Sequence, residues 1–455
     1  GTASEHERGR VMSLHSKAGA PVSLTIRGAH VLDPVERIDA VLDVKVEKGI
    51  VAALAEPRAE KERGKTIEGE GLVLAPAFVD PHVHLRTPGR EDEETIASGT
   101  AAAAAGGYCA ILAMPNTEPT VDCAAVLGAL VEQAQEEAVI PTGFMAAISR
   151  GLRGEELTEM GELADAGAVA FTDDGRPVRS AGLLRRALQY SGSTGCKLAL
   201  HCEEPALSRN GQMHEGEVSA EIGLAGYPSV AESVDVGRNL ALAAYESRPL
   251  HLMHLSTRES IELLRRALAD GADASVRATA EATPHHLCLT DEAVRSLDPN
   301  VKMNPPLRPE EDRKAVIEAL RDGVISCVAT DHAPHARQEK DVPFEAAPFG
   351  VIGLETAFSA LYTNLVESGL LPLDTLLERM SAGPARAFAL PVPRIAAGEP
   401  ANLVLLDLES SWTVGEERLH SLSSNSWLLG QLLKGEVVGT IAAGRVVFGT
   451  QRVRA

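Results

Sequence analysis

Aromatic residues are scarce in this chain: Phe, Tyr and Trp together make up 3% of 455 residues. Basic residues are outnumbered, 43 against 64 acidic, which leaves a formal net charge of −21. Nucleic-acid binding draws on basic surfaces and stacking platforms, so the two shortages together argue against it. The acidity also argues against a polybasic membrane surface. No uninterrupted apolar run approaches the ~18 residues that signal a membrane span. The first residues lack the apolar stretch of a signal peptide. The six cysteines (Cys109, Cys123, Cys196, Cys202, Cys288 and Cys327) form no CxxC pair. Lying mostly in apolar stretches, they read as reduced core residues of a cytoplasmic protein. No GxGxxG follows the first predicted central strand, which counts against a doubly wound nucleotide-binding sheet.

Hydrophobic residues make up 44% of the chain and charged residues 24%, ample for a globular core. Residues 1–21 are polar and without periodicity, so a mobile tail is expected, with Met12 as the native start. From about Leu24 to Leu74 short β-runs are divided by turn residues, and VLDVKVEKG followed by IVAAL predicts a hairpin. The same style returns after residue 392, in ANLVLLDL and EVVGTIAAGRVVFG. One small β domain built from 22–75 and 392–455 is therefore expected. Between 76 and 391 eight short apolar runs alternate with Ala/Leu/Glu/Arg-rich helical stretches, including ETIASGTAAAAAG, DCAAVLGALVEQAQEEA, GEELTEMGELADAG, SVDVGRNLALAAYES, ESIELLRRALADGA and DRKAVIEALRDG. That rhythm predicts an α/β fold, a (β/α)₈ TIM-type barrel.

Histidine is the polar residue that stands out. Nine of the 14 fall in five short clusters between positions 82 and 335, at the carboxyl ends of predicted strands. Barrel strand ends converge on one mouth, so distant positions can meet there. His82 and His84, spaced i, i+2 on a strand, point to one side and can grip one cation. Asp174, His201, His254 and Asp331 supply further imidazole and carboxylate donors, the set that Zn²⁺ favours. Four imidazoles and two carboxylates exceed what one tetrahedral ion needs, so a two-metal site with a carboxylate bridge is considered. His251, three positions from His254, reads as hydrogen-bonded core, and Asp173 as a turn or cap residue. His285, His286 and His332 read either as groups that orient ligands or as ordinary core. Arg86 is suited to an anionic substrate through two parallel hydrogen bonds; a structural ion pair with Glu91, Asp92 or Glu93 is the competing reading. Asn116 and Asn304 add neutral donors. Pro343–Gly353 either offers backbone N–H groups to a ligand or is a plain connector.

DPHVHLRTPG (80–89), GGYCAILAMPNTEPTVD (106–122), FTDDG (171–175), AEATPHHL (280–287), KMNPPLR (302–308) and ATDHAPH (329–335), followed by APFGVIGLETAF, resemble the class I, bacterial-type dihydroorotases of the cyclic amidohydrolase superfamily. The resemblance runs from about residue 24 onward, in the same order. It implies a zinc-bearing barrel, with one or two ions per chain, and a small β-sandwich domain from both termini. It implies the reversible cyclisation of N-carbamoyl-L-aspartate to (S)-dihydroorotate in pyrimidine biosynthesis. By the same resemblance His82 and His84 match ligands of one metal, Asp174 the bridge, and His201 and His254 ligands of the second. Asp331 matches the metal-bound catalytic acid/base. Arg86, Asn116, Asn304 and His335 match substrate contacts, and Phe349-Gly350 matches the backbone site of a mobile loop. The implied chemistry is attack by metal-activated water, with Asp331 passing its proton to the departing ring nitrogen. A homodimer and a complex with aspartate transcarbamoylase are further implications. Two alternatives stay open: a hydantoinase- or allantoinase-type enzyme, and an inactive scaffold for aspartate transcarbamoylase. The full set of metal donors weighs against the scaffold.

Overall fold

Two kinds of hydrophobic patterning along the chain produce two kinds of sheet. The structure, a computed structural model, describes residues 13–57, 64–270, 278–451 and 453. Alternating segments from both chain ends form one mixed eight-stranded sheet. Its order is Arg445–Gly449, Leu432–Ala442, Leu403–Thr413, Val73–Pro76, Leu24–Asp33, Ile38–Glu47 and Ile50–Ala55, with Thr66–Glu68 also beside Leu24–Asp33. Alternation is plain in Leu24–Asp33, where Leu24, Ile26, Ala29, Val31 and Asp33 are buried. The phase slips between Ile26 and Ala29 because Gly28, at φ +61°, sits at a register shift. The expected hairpin turns at Lys48-Gly49, both with positive φ. The sheet curls back on itself, since Val51 N–H donates to Glu399 C=O and Ala401 N–H to Gly49 C=O. Ile26, Val44, Val51, Leu405 and Ile441 thereby share one apolar core.

The eight continuous apolar runs become eight short parallel strands: β1 (Phe78–Val83), β2 (Tyr108–Ala113), β3 (Thr142–Phe144), β4 (Ala170–Phe171), β5 (Lys197–Leu200), β6 (Leu250–Leu252), β7 (Ala278–Ala282) and β8 (Cys327–Val328). Strands β1 to β3 pair in sequence order, and β4 to β8 do the same. Isolated parallel bridges join the two runs, Ala146 to Phe171 at one seam and Val83 to His332 at the other. All eight carboxyl ends therefore lie on one side. The strands are buried almost throughout, the pattern of a parallel sheet covered by helices. Glu310–Asp322 is representative of those helices. Glu310, Glu311 and Asp312 complement its amino end, Val316, Ile317 and Leu320 face inward, and Gly323 closes it at φ +82°. A helix at Ala181–Thr194 and one at Leu373–Met380 were not among the expected helical stretches. No helix among the described residues is long and apolar enough to cross a membrane.

Residues 1–12 of the expected tail lie outside the described residues. Residues 13–21 run against the fold: His15 and Thr142 exchange two backbone bonds of 2.8 Å, and Arg445 holds Lys17 C=O at 2.5 Å. The six cysteines are free thiols, five of them buried or half-buried as expected. Cys123 is exposed because it stands at the start of the Ala124–Glu137 helix.

The Ile96–Ala105 helix joins the two sheets. Thr95 and Ser98 form a capping box at its start, and its run of alanines lets the end sheet approach closely, with Thr440 Oγ1 donating to Ala104 C=O at 2.7 Å. Behind it, Gly107 has φ +91°, and a Cβ there would stand 2.9 Å from Val404 Cγ2 and 3.0 Å from the Phe78 ring. Gly107→Ala is expected to cost about 2–4 kcal/mol, from backbone strain plus overpacking. Denaturant unfolding should show a lowered midpoint at unchanged slope.

Candidate metal centre and active site

Each residue expected as a metal ligand ends or closely follows a parallel strand. His82 is in β1 and His84 just beyond it; Asp174 follows β4, His201 β5, His254 β6 and Asp331 β8. The common direction of the strands brings them together, across up to 249 positions of sequence in the case of His82 and Asp331 (331 − 82). Asp174 sits in the middle. Its Oδ1 is 3.6 Å from His82 Nε2 and 3.9 Å from both His201 Nδ1 and His254 Nε2, and its Oδ2 is 3.4 Å from His84 Nε2. Asp331 Oδ1 lies 3.2 Å from His82 Nε2 and 3.1 Å from His84 Nε2. Three overlapping triads each hold their donor atoms within 4.8 Å of one another: His82, His84 and Asp174; His82, His254 and Asp331; and Asp174, His201 and His254. All six residues are buried.

The imidazoles are oriented from behind. His82 Nδ1 donates to Glu281 Oε1 at 2.7 Å, His84 Nδ1 to Asn116 Oδ1 at 2.9 Å, and His201 Nε2 to Glu203 Oε2 at 3.0 Å. Each of those partners can only accept, so the proton resides on the far nitrogen. The near nitrogen of each then faces the cluster, where it can ligate an ion once it carries no proton. His82 Nε2 and His254 Nδ1 are buried without a hydrogen-bond partner. His82 Nε2, 3.2 Å from Asp331 Oδ1 and 3.6 Å from Asp174 Oδ1, is an orphan nitrogen that fits a cation, and the whole donor set suits a divalent ion of borderline softness. Burial raises the Asp331 and Asp174 carboxyls, but the imidazoles around them outweigh it and hold both well below the usual carboxylate range. Three residues here have left-handed backbone: Arg86 at φ +58°, His254 at +30° and Asp331 at +48°. Strain of this kind persists only where surrounding structure fixes it, and it gathers at functional sites.

Of the expected substrate contacts, Asn116 and Asn304 are bonded to the cluster or to a partner of its imidazoles, while Arg86 and His335 meet at Glu93. Arg86 Nε is 3.0 Å from both Glu93 Oε2 and Pro334 C=O, so the competing ion pair is present. Asn116 lies behind His84 and reaches Asp174 Oδ2 at 3.4 Å. Asn304 Nδ2 donates to Glu203 Oε2 at 3.1 Å, and its buried Oδ1 has no partner. His335 Nε2 donates to Phe349 C=O at 2.8 Å. Gly350 N–H is already used by Lys302 C=O at 2.9 Å, and Gly350 C=O by Asn425 Nδ2 at 3.2 Å. Of the four backbone polar groups at Phe349-Gly350, Phe349 N–H alone has no partner among the described residues.

His251 is core, as expected, bonded to Thr279 and to Glu281. Asp173 caps the 148–149 turn by accepting from Ile148 N–H and Ser149 N–H. His286 bonds Thr283 and Pro305 C=O, and His332 bonds Glu94 and Gly353 N–H. Neither orients an expected ligand. His285 is buried with Nε2 unpartnered.

Sequence reasoning passed over Glu281 and Asp80. Glu281 accepts from His82 and His251 together; burial opposes its charge, yet the two imidazoles bring it down to about 2. Asp80 accepts from His82 N–H, Thr330 N–H and Thr330 Oγ1, tying β1 to the chain after β8, and burial pushes its carboxyl up to about 7. A lone carboxylate inside an apolar strand was the available signal for both.

A family model described as dihydro-orotase-like matches residues 71–260. The dihydroorotase of Geobacter metallireducens is 43% identical over 427 residues, covering 94% of this chain and 100% of that protein. That of Anaeromyxobacter sp. (strain K) is 45% identical over 427 residues, covering 93% and 97%. Among solved structures, the L-hydantoinase (dihydropyrimidinase) of Arthrobacter aurescens aligns with a TM-score of 0.83 at 25% identity, covering 95% of this chain and 97% of that one. A D-hydantoinase at 23% identity and TM-score 0.81, covering 95% and 96%, shows the shared α/β fold alone. Matched along nearly its whole length by proteins of one kind, the chain belongs to the dihydroorotase family.

Proposed function

We propose that the chain is a metal-dependent dihydroorotase of the class I type, interconverting N-carbamoyl-L-aspartate and (S)-dihydroorotate. One observation carries this reading. Six buried donors from five strand ends gather in one cluster with Asp174 in its middle, and three of the imidazoles are bonded from behind so that the other nitrogen faces the cluster. In this reading the eight parallel strands form a (β/α)₈ barrel over 76–391, with 22–75 and 392–455 as a β-sandwich domain. The enzyme is cytoplasmic and homodimeric and serves pyrimidine biosynthesis, and it can associate with aspartate transcarbamoylase.

His82, His84 and Asp331 would hold one ion and His201 and His254 a second, with Asp174 shared; zinc, as one or two ions, suits the donors. When bound, the metal supplies a lowered pKa for water and polarises the substrate carbonyl. Asp331 remains ionised near neutral pH, because the imidazoles around it favour its charged form. It can therefore accept a proton during ring opening and return it to the departing ring nitrogen; ring closure reverses the transfer. Arg86, held by Glu93 through Nε, directs its guanidinium at the substrate carboxylate. Asn116, Asn304, His335 and the Phe349-Gly350 backbone complete the pocket and fix the reacting carbonyl. Orientation of this kind supplies several kcal/mol.

The test is a dihydroorotate assay paired with metal analysis. Asp331→Ala is expected to lose at least about 10²-fold in kcat, as removal of an acid–base group does. Near-normal turnover would remove Asp331 from the chemistry. Turnover of hydantoin without dihydroorotate would reassign the enzyme, as the hydantoinase fold neighbours allow. A chain that binds no metal and gains no activity on metal addition would instead favour the scaffold. Glu281→Gln removes the charge behind His82 and should weaken metal binding by about 10–100-fold, read by chelator competition.

A further inference from the structure

Lys302 is 2% exposed, an unusual place for an ammonium. Its Nζ donates to three backbone carbonyls, Phe344 at 2.8 Å, Glu345 at 3.1 Å and Ala347 at 2.7 Å. Three donors thus meet three acceptors, and the charge faces the rings of Phe344 and Phe349, with centroids 5.3 and 4.8 Å away. The same residue's C=O accepts from Gly350 N–H. Burying a cation is costly unless its surroundings compensate it. Here the compensation comes from one short segment, and that segment ends at the Phe349-Gly350 backbone.

The segment has few other reasons to hold its shape. Between Asp341 and Gly350 it contains no helix or strand, and only Phe344, Ala347 and Gly350 are fully buried. Lys340 adds a second clamp, donating to Pro299 C=O at 3.0 Å and Pro348 C=O at 2.8 Å. Asn425 closes the far side, accepting from His335 N–H and donating to Ala333 C=O and Gly350 C=O. Lys302 ties the segment by both its ammonium and its own C=O to the chain that carries Asn304, two residues on, beside the apolar packing of Phe344 on Val301 and Met303.

We infer that Lys302 is a positioning residue for substrate binding, gathering the 343–350 segment into the shape that presents Phe349 and Gly350 beside His335. The inference rests on the proposed reading that these groups meet substrate. Without the ammonium, three carbonyls lose their common donor and the segment relaxes, while the metal cluster, bonded through other residues, is untouched.

Lys302→Met and Lys302→Arg, both metal-loaded, test this by dihydroorotate kinetics and by hydrogen exchange of the 343–351 amides. In Lys302→Met the KM should rise about tenfold and the exchange accelerate about tenfold, the scale of unsatisfied buried carbonyls, with kcat and metal content near wild type. Lys302→Arg, which keeps charge and donors, should recover part of both. Unchanged KM and exchange in Lys302→Met overturn the inference. So does a Lys302→Met chain that fails to fold beside a Lys302→Arg chain with wild-type KM and exchange, for then the lysine serves folding only. A wild type without dihydroorotate turnover would sink the proposed activity instead, and exchange of the 343–351 amides would still decide whether Lys302 holds the segment.

Discussion

Buried charge must be compensated, and that requirement organises this protein. Asp174 and Asp331 carry full charge in a water-poor interior, and four imidazoles surround them. Each imidazole nitrogen that looks away from the cluster and finds a partner finds an acceptor, which fixes its tautomer. The chain of compensation runs outward from His82 to Glu281, to His251 and to Thr279. Three links lie within one hydrogen-bonded run, so the His82 imidazole is held in place by the protein alone.

The same rule explains the outer layer. Glu93 and Glu94 are nearly inaccessible, and each is met by several donors: Arg86, Arg90 and His335 around Glu93, and His332, Ser421 and Leu422 N–H around Glu94. The 421–425 stretch, from the chain's far end, thereby braces the loops after β1 and β8. His335 and Gly350, expected to meet substrate, are braced by Asn425 from a distant part of the sequence. The two sheets are thus mechanically joined at the helix Ile96–Ala105 on one side and at this brace on the other.

Much of the architecture was readable because its causes are local. Eight apolar runs between helical stretches gave eight strands, and the strand ends gave the donors. What escaped has a physical explanation. The helix Ala181–Thr194 begins AGLLRRALQ, but its Gly/Ser/Thr-rich end, YSGST, dilutes the helical pattern. Glu281 and Asp80 were invisible as functional residues because a carboxylate in an apolar strand has meaning only once its partner is known. His285, His286 and His332 stood at the right strand ends, yet two of them serve the loops, a choice made by which neighbours fold against them.

The sequence by itself determined the rhythm of strands and helices, the identity of the donors and the side of the fold on which they gather, since a parallel strand fixes the direction of everything that follows it. Only the tertiary structure decided which nitrogen of each histidine faces inward, that Arg86 is shared with Glu93, and that Gly350 N–H is spoken for by Lys302. Those outcomes depend on distances between segments hundreds of residues apart, and hydrogen bonds of about 3 Å discriminate on a scale that no pattern along a chain encodes.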